Sequence, residues 1–283
     1  MNDNTLAPCP ATGDSGTARP GEVQAELRFT VPQDDAPIVY LVDYASTTIK
    51  LESRQVTIRN ARALENEIEL EQNGFALVEF TTGLQDVRDK HAVDTVFRQE
   101  AESLLQKITG AKRVVMFASL ARDMRFAATN ENLGAATNVH VDHDQATYEY
   151  SIRQVLPPDE ANELLQRRWA AYNIWKPLRT VESMPLAVCD ARTIRKEDLI
   201  PTAVGTSPDE PLLPRTGLGV LYRSDQNWYY YPLMTADEAL ILKMWDTDQS
   251  RPQWAAHSAF DDPTSPTDAQ PRVSLDARFV VFF

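Results

Sequence analysis

The chain ends in a stretch that alternates polar and apolar side chains, PRVSLDARFVVFF at residues 271–283. Successive side chains of a β-strand point to opposite faces, so the alternation predicts a strand with one polar and one apolar face. The polar face carries Arg272, Ser274, Asp276 and Arg278. Such a face lines a polar pocket or lies against solvent, and the alternation alone is consistent with both arrangements.

Eight further stretches have the composition and length of short strands, with turn residues between them. They are Glu26–Val31, Ile38–Val42, Gln55–Arg59, Phe75–Phe80, Val114–Leu120, Leu218–Tyr222, Trp228–Pro232 and Ala239–Trp245. Apolar residues recur at helical spacing between Val87 and Ile108, and start signals predict a second helix over Asp159–Ala171. Many strands and few helices predict a mainly β fold with flanking helices, an antiparallel barrel or jelly roll.

Composition indicates the boundaries of the fold. Residues 1–22 are rich in Pro, Gly, Thr, Ala and Asp, and we expect them to form a flexible tail. Residues 23–283 are expected to form a single domain with a helical insertion around 155–200. The chain has only 10 glycines and none lies in a phosphate-binding loop, which excludes a Rossmann or P-loop fold.

The net charge and the cysteines indicate the class of partner and the cellular compartment. A formal charge of −13 argues against nucleic acid or an anionic membrane as a partner, because both need a basic face. No apolar run approaches the ~20 residues that cross a bilayer. Cys9 and Cys189 are too few for a disulfide framework. We therefore expect a cytoplasmic protein that binds a small molecule, and exposed strand edges would permit a homodimer.

A possible metal-binding pair lies in TNVHVDH at residues 137–143. On a strand His140 and Asp142 share one face, so an imidazole and a carboxylate approach a cation from one direction. His143 lies on the opposite face and is excluded from the metal ligands. The pair alone is a weak signal, because two polar residues on a surface strand give the same pattern.

His257 in AHSAF, residues 256–260, supplies a third ligand. Two histidines and one carboxylate form the facial triad of non-haem iron(II) enzymes, which leaves coordination positions open on one side. Arg272 and Ser274 follow on the polar strand face, where an arginine fork and a hydroxyl group can bind a carboxylate. The combination predicts an iron site with a bound carboxylate, used to oxidise a small molecule.

Seven sequence blocks support this interpretation by their order along the chain. They are VHVD (139–142), NIWKP (173–177), VCDA (188–191), WYYYP (228–232), DEAL (237–240), HSAF (257–260) and PRVS (271–274). Together they resemble the hydroxylase/desaturase family of non-haem iron(II)/2-oxoglutarate-dependent oxygenases, which includes the cephamycin C-7 hydroxylase component and the fungal gibberellin desaturase. The resemblance covers the chain beyond its N-terminal tail, and implies a double-stranded β-helix, a cupin-like jelly roll.

The resemblance also implies an activity and the residues that carry it. His140, Asp142 and His257 would bind iron(II), and Arg272 with Ser274 would bind the distal carboxylate of 2-oxoglutarate. The expected enzyme is a dioxygenase that uses iron(II), 2-oxoglutarate and O2. It would hydroxylate, desaturate or cyclise a small specialised metabolite.

Four residues are expected to contact the substrate, namely Asn173, Trp175, Lys176 and Tyr230. Lys176 departs from the family pattern, in which arginine is expected in the Asn-x-Trp-Arg-Pro block. Lysine keeps the charge but loses the planar fork that binds a carboxylate through two bonds. Packing of the 173–176 segment against the barrel is the alternative to a substrate contact.

Other functions remain open at this point. An iron(II) oxidase of the same fold would bind the substrate's own carboxylate through Arg272 and Ser274 and would need no 2-oxoglutarate. A non-catalytic jelly-roll binding protein would carry no iron, and a zinc enzyme could use the same ligands. The dependence of turnover on 2-oxoglutarate separates the dioxygenase from the oxidase.

Overall fold

The computed structural model describes residues 21–64, 67–126, 128–129 and 132–283. Residues 1–20 of the predicted tail, and with them Cys9, lie outside the described residues. The first strand begins at Glu22, so the ordered fold starts one residue earlier than the sequence predicts.

Two β-sheets make up most of the described part of the chain, with strands numbered in chain order. The larger sheet contains, in spatial order, β1 (Glu22–Thr30), β3 (Leu51–Asn60), β11 (Trp228–Tyr230), β8 (Leu186–Cys189), β13 (His257–Ala259), β6 (His140–Val141), β10 (Thr216–Val220), β9 (Leu199–Gly205) and β2 (Ile38–Tyr40). The smaller sheet contains β4 (Phe75–Glu79), β12 (Glu238–Asp246), β7 (Trp169–Pro177), β14 (Val273–Phe282) and β5 (Arg113–Asp123). Neighbouring strands are antiparallel, except that β11 runs parallel to β3 and β2 runs parallel to β9.

Strand β14 lies between β7 and β5, and every one of its residues is buried. Ser274 pairs with Pro177 on one side and with Arg122 on the other. The predicted polar face therefore lies inside the protein and does not face solvent. A register shift between Arg278 and Phe279 marks an irregularity in the pairing with β5.

The smaller sheet is covered on both faces, and strand β7 shows how. Its alternate residues divide between two hydrophobic clusters. Trp169, Ala171 and Trp175 belong to the cluster shared with the larger sheet, and Ala170, Tyr172 and Ile174 belong to the cluster shared with the helix that follows β4. The order of layers is therefore helix, smaller sheet, larger sheet, and the two sheets enclose an interior between them.

The helix expected over 87–108 is confirmed. It consists of α2 (Lys90–Ala92), a π-helical turn (Val93–Phe97) and α3 (Arg98–Thr109). The Asp89 carboxylate accepts a hydrogen bond from the Ala92 backbone N–H at 3.0 Å, which satisfies one free donor at the helix start. Gly110 ends α3 in the left-handed region, with φ of 69°.

The helical insertion expected around 155–200 is only partly helical. Helix α5 (Pro158–Leu164) ends well before Ala171, and β7 begins at Trp169. The run WAAYNIWKP lacks polar alternation because both of its faces are buried, and such a run resembles a buried helix in sequence. Strand β8 also falls within this range.

The other helices of the described residues are short, and the sequence did not indicate them. They are α1 (Leu70–Asn73), α4 (Gln145–Val155) and the 3-10 helices Tyr44–Ser46, Ala61–Leu64, Ala191–Thr193 and Lys196–Asp198. Helix α4 begins at Asp144, whose side chain accepts a hydrogen bond from the Thr147 backbone N–H at 2.8 Å. None of the described helices is long and apolar enough to span a membrane.

Replacing Phe97 by alanine is expected to destabilise the protein by ~3–5 kcal/mol. The ring of Phe97 is fully buried beside Phe80, with ring centroids 5.8 Å apart, so its removal leaves a cavity under the helix. Urea unfolding of the purified variants measures the change. Val96→Ala is the matched control, because Val96 is adjacent and 41% exposed. Equal losses of stability in the two variants would contradict the assignment of Phe97 to the core.

Candidate active site

The three predicted metal ligands meet at the centre of the larger sheet. His140 on β6 pairs with His257 on β13, and Asp142 follows directly after β6. One ligand atom from each residue lies within 4.8 Å of the others. His140 Nε2 is 3.9 Å from Asp142 Oδ1, and His257 Nε2 is 4.0 Å from Asp142 Oδ2. The strand pairing therefore brings together residues that lie more than a hundred positions apart in sequence.

Backbone carbonyl groups fix the orientation of both imidazole rings. His140 Nδ1 lies 2.8 Å from the Asn138 carbonyl oxygen, and His257 Nδ1 lies 3.1 Å from that of Ala255. A carbonyl oxygen only accepts, so each Nδ1 carries the proton and each Nε2 presents a lone pair. Burial, reinforced by His257, lowers the pKa of His140 to about 3. The His140 ring is therefore neutral near pH 7, the form that binds a metal ion.

Both oxygens of the Asp142 carboxylate are held by the smaller sheet. Arg278 on β14 donates Nη2–H to Oδ1 at 2.6 Å, and Asn173 on β7 donates Nδ2–H to Oδ2. Burial favours a higher pKa for Asp142, but the nearby Arg278 and the imidazoles outweigh it and keep the pKa well below its usual range. The group stays ionised and points toward the histidines.

His143 is not part of the ligand group. Its side chain is buried, and its Nε2 accepts a hydrogen bond from Arg278 Nη1 at 3.0 Å. Arg278 also donates Nη2–H to Asp276 at 3.1 Å. The exclusion of His143 from the metal ligands therefore agrees with the geometry, and its contact is with the arginine that holds Asp142.

Arg272 and Ser274 form a second polar locus on the same face of β14 as Arg278. The Arg272 guanidinium donates Nη1–H to the Met184 carbonyl oxygen at 2.5 Å and lies over the Trp175 ring, 5.5 Å from its centroid. Arg272 Nε and Ser274 Oγ are buried and have no hydrogen-bond partner among the described residues. Burial, with a further contribution from Arg122, lowers the pKa of Arg272 to about 9. A bound carboxylate would supply the missing acceptor and the missing negative charge.

The four expected substrate residues separate into different environments. Asn173 contacts Asp142, and Trp175 packs against Arg272, so both face the interior between the sheets. Lys176 points to the opposite face of β7 and donates to the carbonyl oxygens of Phe80, Ala236 and Glu238. Strand alternation separates it from Asn173 and Trp175, so the structure does not bring Lys176 to the site.

Tyr230 and Cys189 belong to the core. Tyr230 is fully buried and its ring packs edge-on against Phe260, with centroids 5.5 Å apart. It does not line the cavity beside His140. Cys189 is also fully buried, and burial raises the pKa of its thiol, which does not favour a nucleophilic thiolate.

A cavity of about 220 Å³ opens beside the three candidate metal ligands. His140 and Asp142 line it, together with three arginines that sequence reasoning missed as site residues, Arg122, Arg215 and Arg278. Arg278 shares the predicted polar strand face with Arg272, and that signal could have identified it. Arg122 lies two residues beyond the predicted end of its strand, and Arg215 lies in a turn-rich spacer with no local signal.

Comparisons with known proteins agree with this arrangement. A family model described as an oxidoreductase/YMDC permease-like domain matches residues 27–282. The hydroxylase/desaturase CTB9 of Cercospora beticola is 32% identical over 263 residues, which cover 83% of this chain and 78% of CTB9. The Fe(II)/2-oxoglutarate-dependent dioxygenase nvfI of Aspergillus novofumigatus is 30% identical over 276 residues, which cover 94% and 88%. The chain belongs to the hydroxylase/desaturase family of iron(II)- and 2-oxoglutarate-dependent dioxygenases.

A solved structure shows that this chain shares its fold with a related enzyme. The iron and alpha-ketoglutarate-dependent endoperoxidase NvfI matches it with a TM-score of 0.83 and 28% identity, covering 93% of this chain and 98% of that one. The predicted jelly-roll fold is confirmed, as are the oxidoreductase class and the cofactors iron(II), 2-oxoglutarate and O2. Two imidazole nitrogens and one carboxylate oxygen are a suitable donor set for iron(II), and the unpaired Arg272 and Ser274 groups suit an acidic co-substrate.

Replacing Asn173 by alanine is expected to weaken metal binding by about 10–100-fold. The variant keeps all three ligands but removes one of the two donors that orient Asp142. Calorimetric titration with cobalt(II) measures the change without turnover. Asn162→Ala is the matched control, because Asn162 is exposed on α5 and contacts Arg153. A cobalt(II) affinity unchanged in Asn173→Ala would show that Arg278 alone orients the carboxylate.

Proposed function

We propose that His140, Asp142 and His257 hold the catalytic iron(II) of this dioxygenase. The proposal rests on one observation, the approach of three ligand atoms to within 4.8 Å while both Nδ1 atoms are bound to backbone carbonyl groups. Because the lone pairs are directed before a metal arrives, little side-chain reorganisation accompanies binding. Bound iron(II) supplies the oxidising chemistry, with 2-oxoglutarate as the source of electrons.

We propose that Arg272 and Ser274 bind the distal carboxylate of 2-oxoglutarate. Arg272 is 1% exposed and Ser274 is fully buried, so a carboxylate between them is shielded from water. The Trp175 ring covers the guanidinium and restricts the direction from which a ligand can approach. These residues bind and orient the co-substrate, while Asn173 and Arg278 keep the metal-binding carboxylate in place.

The substrate is proposed to be a small specialised metabolite that enters the cavity beside His140. The related proteins include hydroxylase/desaturases and an endoperoxidase, so hydroxylation, desaturation and ring formation are the reaction types considered. The mostly apolar wall of the cavity excludes water from the reacting carbon and favours an apolar substrate body. The homodimer and the cytoplasmic location stay predictions from the sequence.

An anaerobic titration tests the proposed cofactor sites. Iron(II) followed by 2-oxoglutarate is expected to produce a visible charge-transfer band that appears only when both are present. His140→Ala is expected to abolish the band, because one of the three ligands is lost. Absence of the band in folded, iron-loaded protein would contradict the proposal. Product formation by desalted enzyme without added 2-oxoglutarate would favour the iron(II) oxidase.

Arg272→Gln is expected to raise the dissociation constant for 2-oxoglutarate by at least about tenfold, because one charge-assisted contact is lost. Arg272→Lys keeps the charge but not the fork and should lie between the variant and the wild type. The strength of the charge-transfer band against 2-oxoglutarate concentration measures both. Arg167→Gln, at an exposed arginine paired with Glu163, is the control. An unchanged constant in Arg272→Gln would place the distal carboxylate elsewhere.

A further inference from the structure

The cavity beside His140 has a mostly apolar wall. Strands β2, β9, β10 and β5 and the Tyr44–Ser46 helix contribute to it. The apolar lining includes Val39, Leu41, Ile49, Leu120, Val204 and Leu218. Its volume of about 220 Å³ is below the ~300–1,000 Å³ of typical ligand pockets, so it accommodates a small molecule or one end of a larger one.

Two cations that line this cavity form no close ion pair among the described residues. Arg278 is neutralised by Asp142 and Asp276, at 2.6 and 3.1 Å. In contrast, neither Arg122 nor Arg215 forms an ion pair with a carboxylate in the part of the chain that the structure describes.

Arg122 is buried and Arg215 is half-buried, so both guanidinium groups are partly removed from water. Arg122 is only 8% exposed, and among the described residues its side-chain hydrogen bond goes to the Gly134 carbonyl oxygen at 2.5 Å. Burial lowers the pKa of both guanidinium groups; the positive Arg278 adds to the effect, and for Arg122 the carboxylates of Asp276 and Asp142 oppose it in part. Removing a cation from water without a close anion is unfavourable, and a bound anion would offset that cost.

The charges of the whole site leave room for an anion besides 2-oxoglutarate. The groups that act on one another electrostatically are Arg122, Arg215, Arg272, Arg278, Asp142 and Asp276. Iron(II) adds two positive charges to this set, and 2-oxoglutarate removes the same number. Two positive charges then remain beside the cavity, in surroundings that screen them poorly.

We propose that the substrate is an apolar acid, and that Arg122 and Arg215 bind its carboxylate inside the cavity. This inference rests on the proposed function, because it assigns the substrate class of the same active site. A carboxylate pairs with the two free guanidinium groups, while the hydrocarbon part contacts the apolar wall. A neutral substrate of the same shape would cover both guanidinium groups without supplying an anion, so the site discriminates in favour of the acid.

Matched pairs of small probes test the acid preference directly. Suitable pairs are 2-naphthoate with 2-naphthamide, 4-phenylbutanoate with 4-phenylbutanamide, and cinnamate with cinnamamide. Calorimetric titration of the full chain, loaded with zinc(II) and 2-oxoglutarate, measures binding without turnover. In at least one pair the acid is expected to bind about tenfold or more tightly than its amide. Equal affinities within every pair would overturn the proposal.

Four variants assign the preference to residues. Arg122→Gln and Arg215→Gln are each expected to lower the affinity for the acid by about fivefold or more and to leave that for the amide nearly unchanged. Arg122→Lys keeps the charge and should retain most of the preference. If Arg122→Gln does not fold, Arg215→Gln tests the expected loss of acid binding. Arg167→Gln is the control, because Arg167 is exposed and lies outside the cavity.

Two further outcomes would overturn the assignment. A loss of acid binding only in Arg272→Gln would place the acid in the co-substrate site. A loss of 2-oxoglutarate affinity in Arg122→Gln, with the acid preference intact, would assign Arg122 to the co-substrate. The titrations are repeated on the metal-free chain. A chain that prefers the acid but binds no metal ion would contradict the proposed function and support this inference.

Discussion

The active site depends on the requirement that a buried carboxylate be paired. Asp142 belongs to the larger sheet, but the groups that satisfy its two oxygens, Arg278 and Asn173, belong to the smaller one. Removing one member of a buried pair typically costs ~3–5 kcal/mol, because a charge is left without compensation. The contact therefore fixes the two sheets relative to each other at the point where His140 and His257 present their lone pairs. The same contact that positions the sheets also orients the proposed metal-binding oxygen.

Much of this site could be predicted from the sequence because it depends on local alternation. The two-residue spacing of His140 and Asp142 places both on one strand face, and the same rule gives the polar face that begins at Arg272. The meeting of His257 with His140 is a pairing between β13 and β6, which no local pattern contains. It was anticipated from the need for a third metal ligand, and the order of sequence blocks shared with a family supports it.

Three differences between the sequence predictions and the structure have identifiable physical causes. Strand β7 is buried on both faces, so its sequence lacks the alternation that identifies a half-buried strand, and a helix was predicted to extend into it. Lys176 was expected at the substrate because it belongs to the same sequence block as Asn173 and Trp175, although its strand position puts it on the face opposite Asn173. Arg122 could be recognised as a site residue only from its pairing with Ser274, because its position in the site depends on the register between β5 and β14. Long-range register is the information that local patterns do not carry.

Different strands hold Asp142 and line the cavity, and this indicates which positions can vary when the substrate differs. The groups that hold Asp142 come from β7 and β14, whereas much of the cavity wall comes from β2, β9 and β10. Substitutions in the wall do not remove a partner from the buried carboxylate, so they leave the metal-binding groups in place. A cation that lines the cavity, such as Arg122 on β5 or Arg215 just before β10, is unfavourable unless a ligand neutralises it, and its presence therefore favours a ligand of the opposite charge. Arg122 and Arg215 are for this reason more informative about the substrate than the apolar residues around them, which would accept a neutral or an acidic molecule alike.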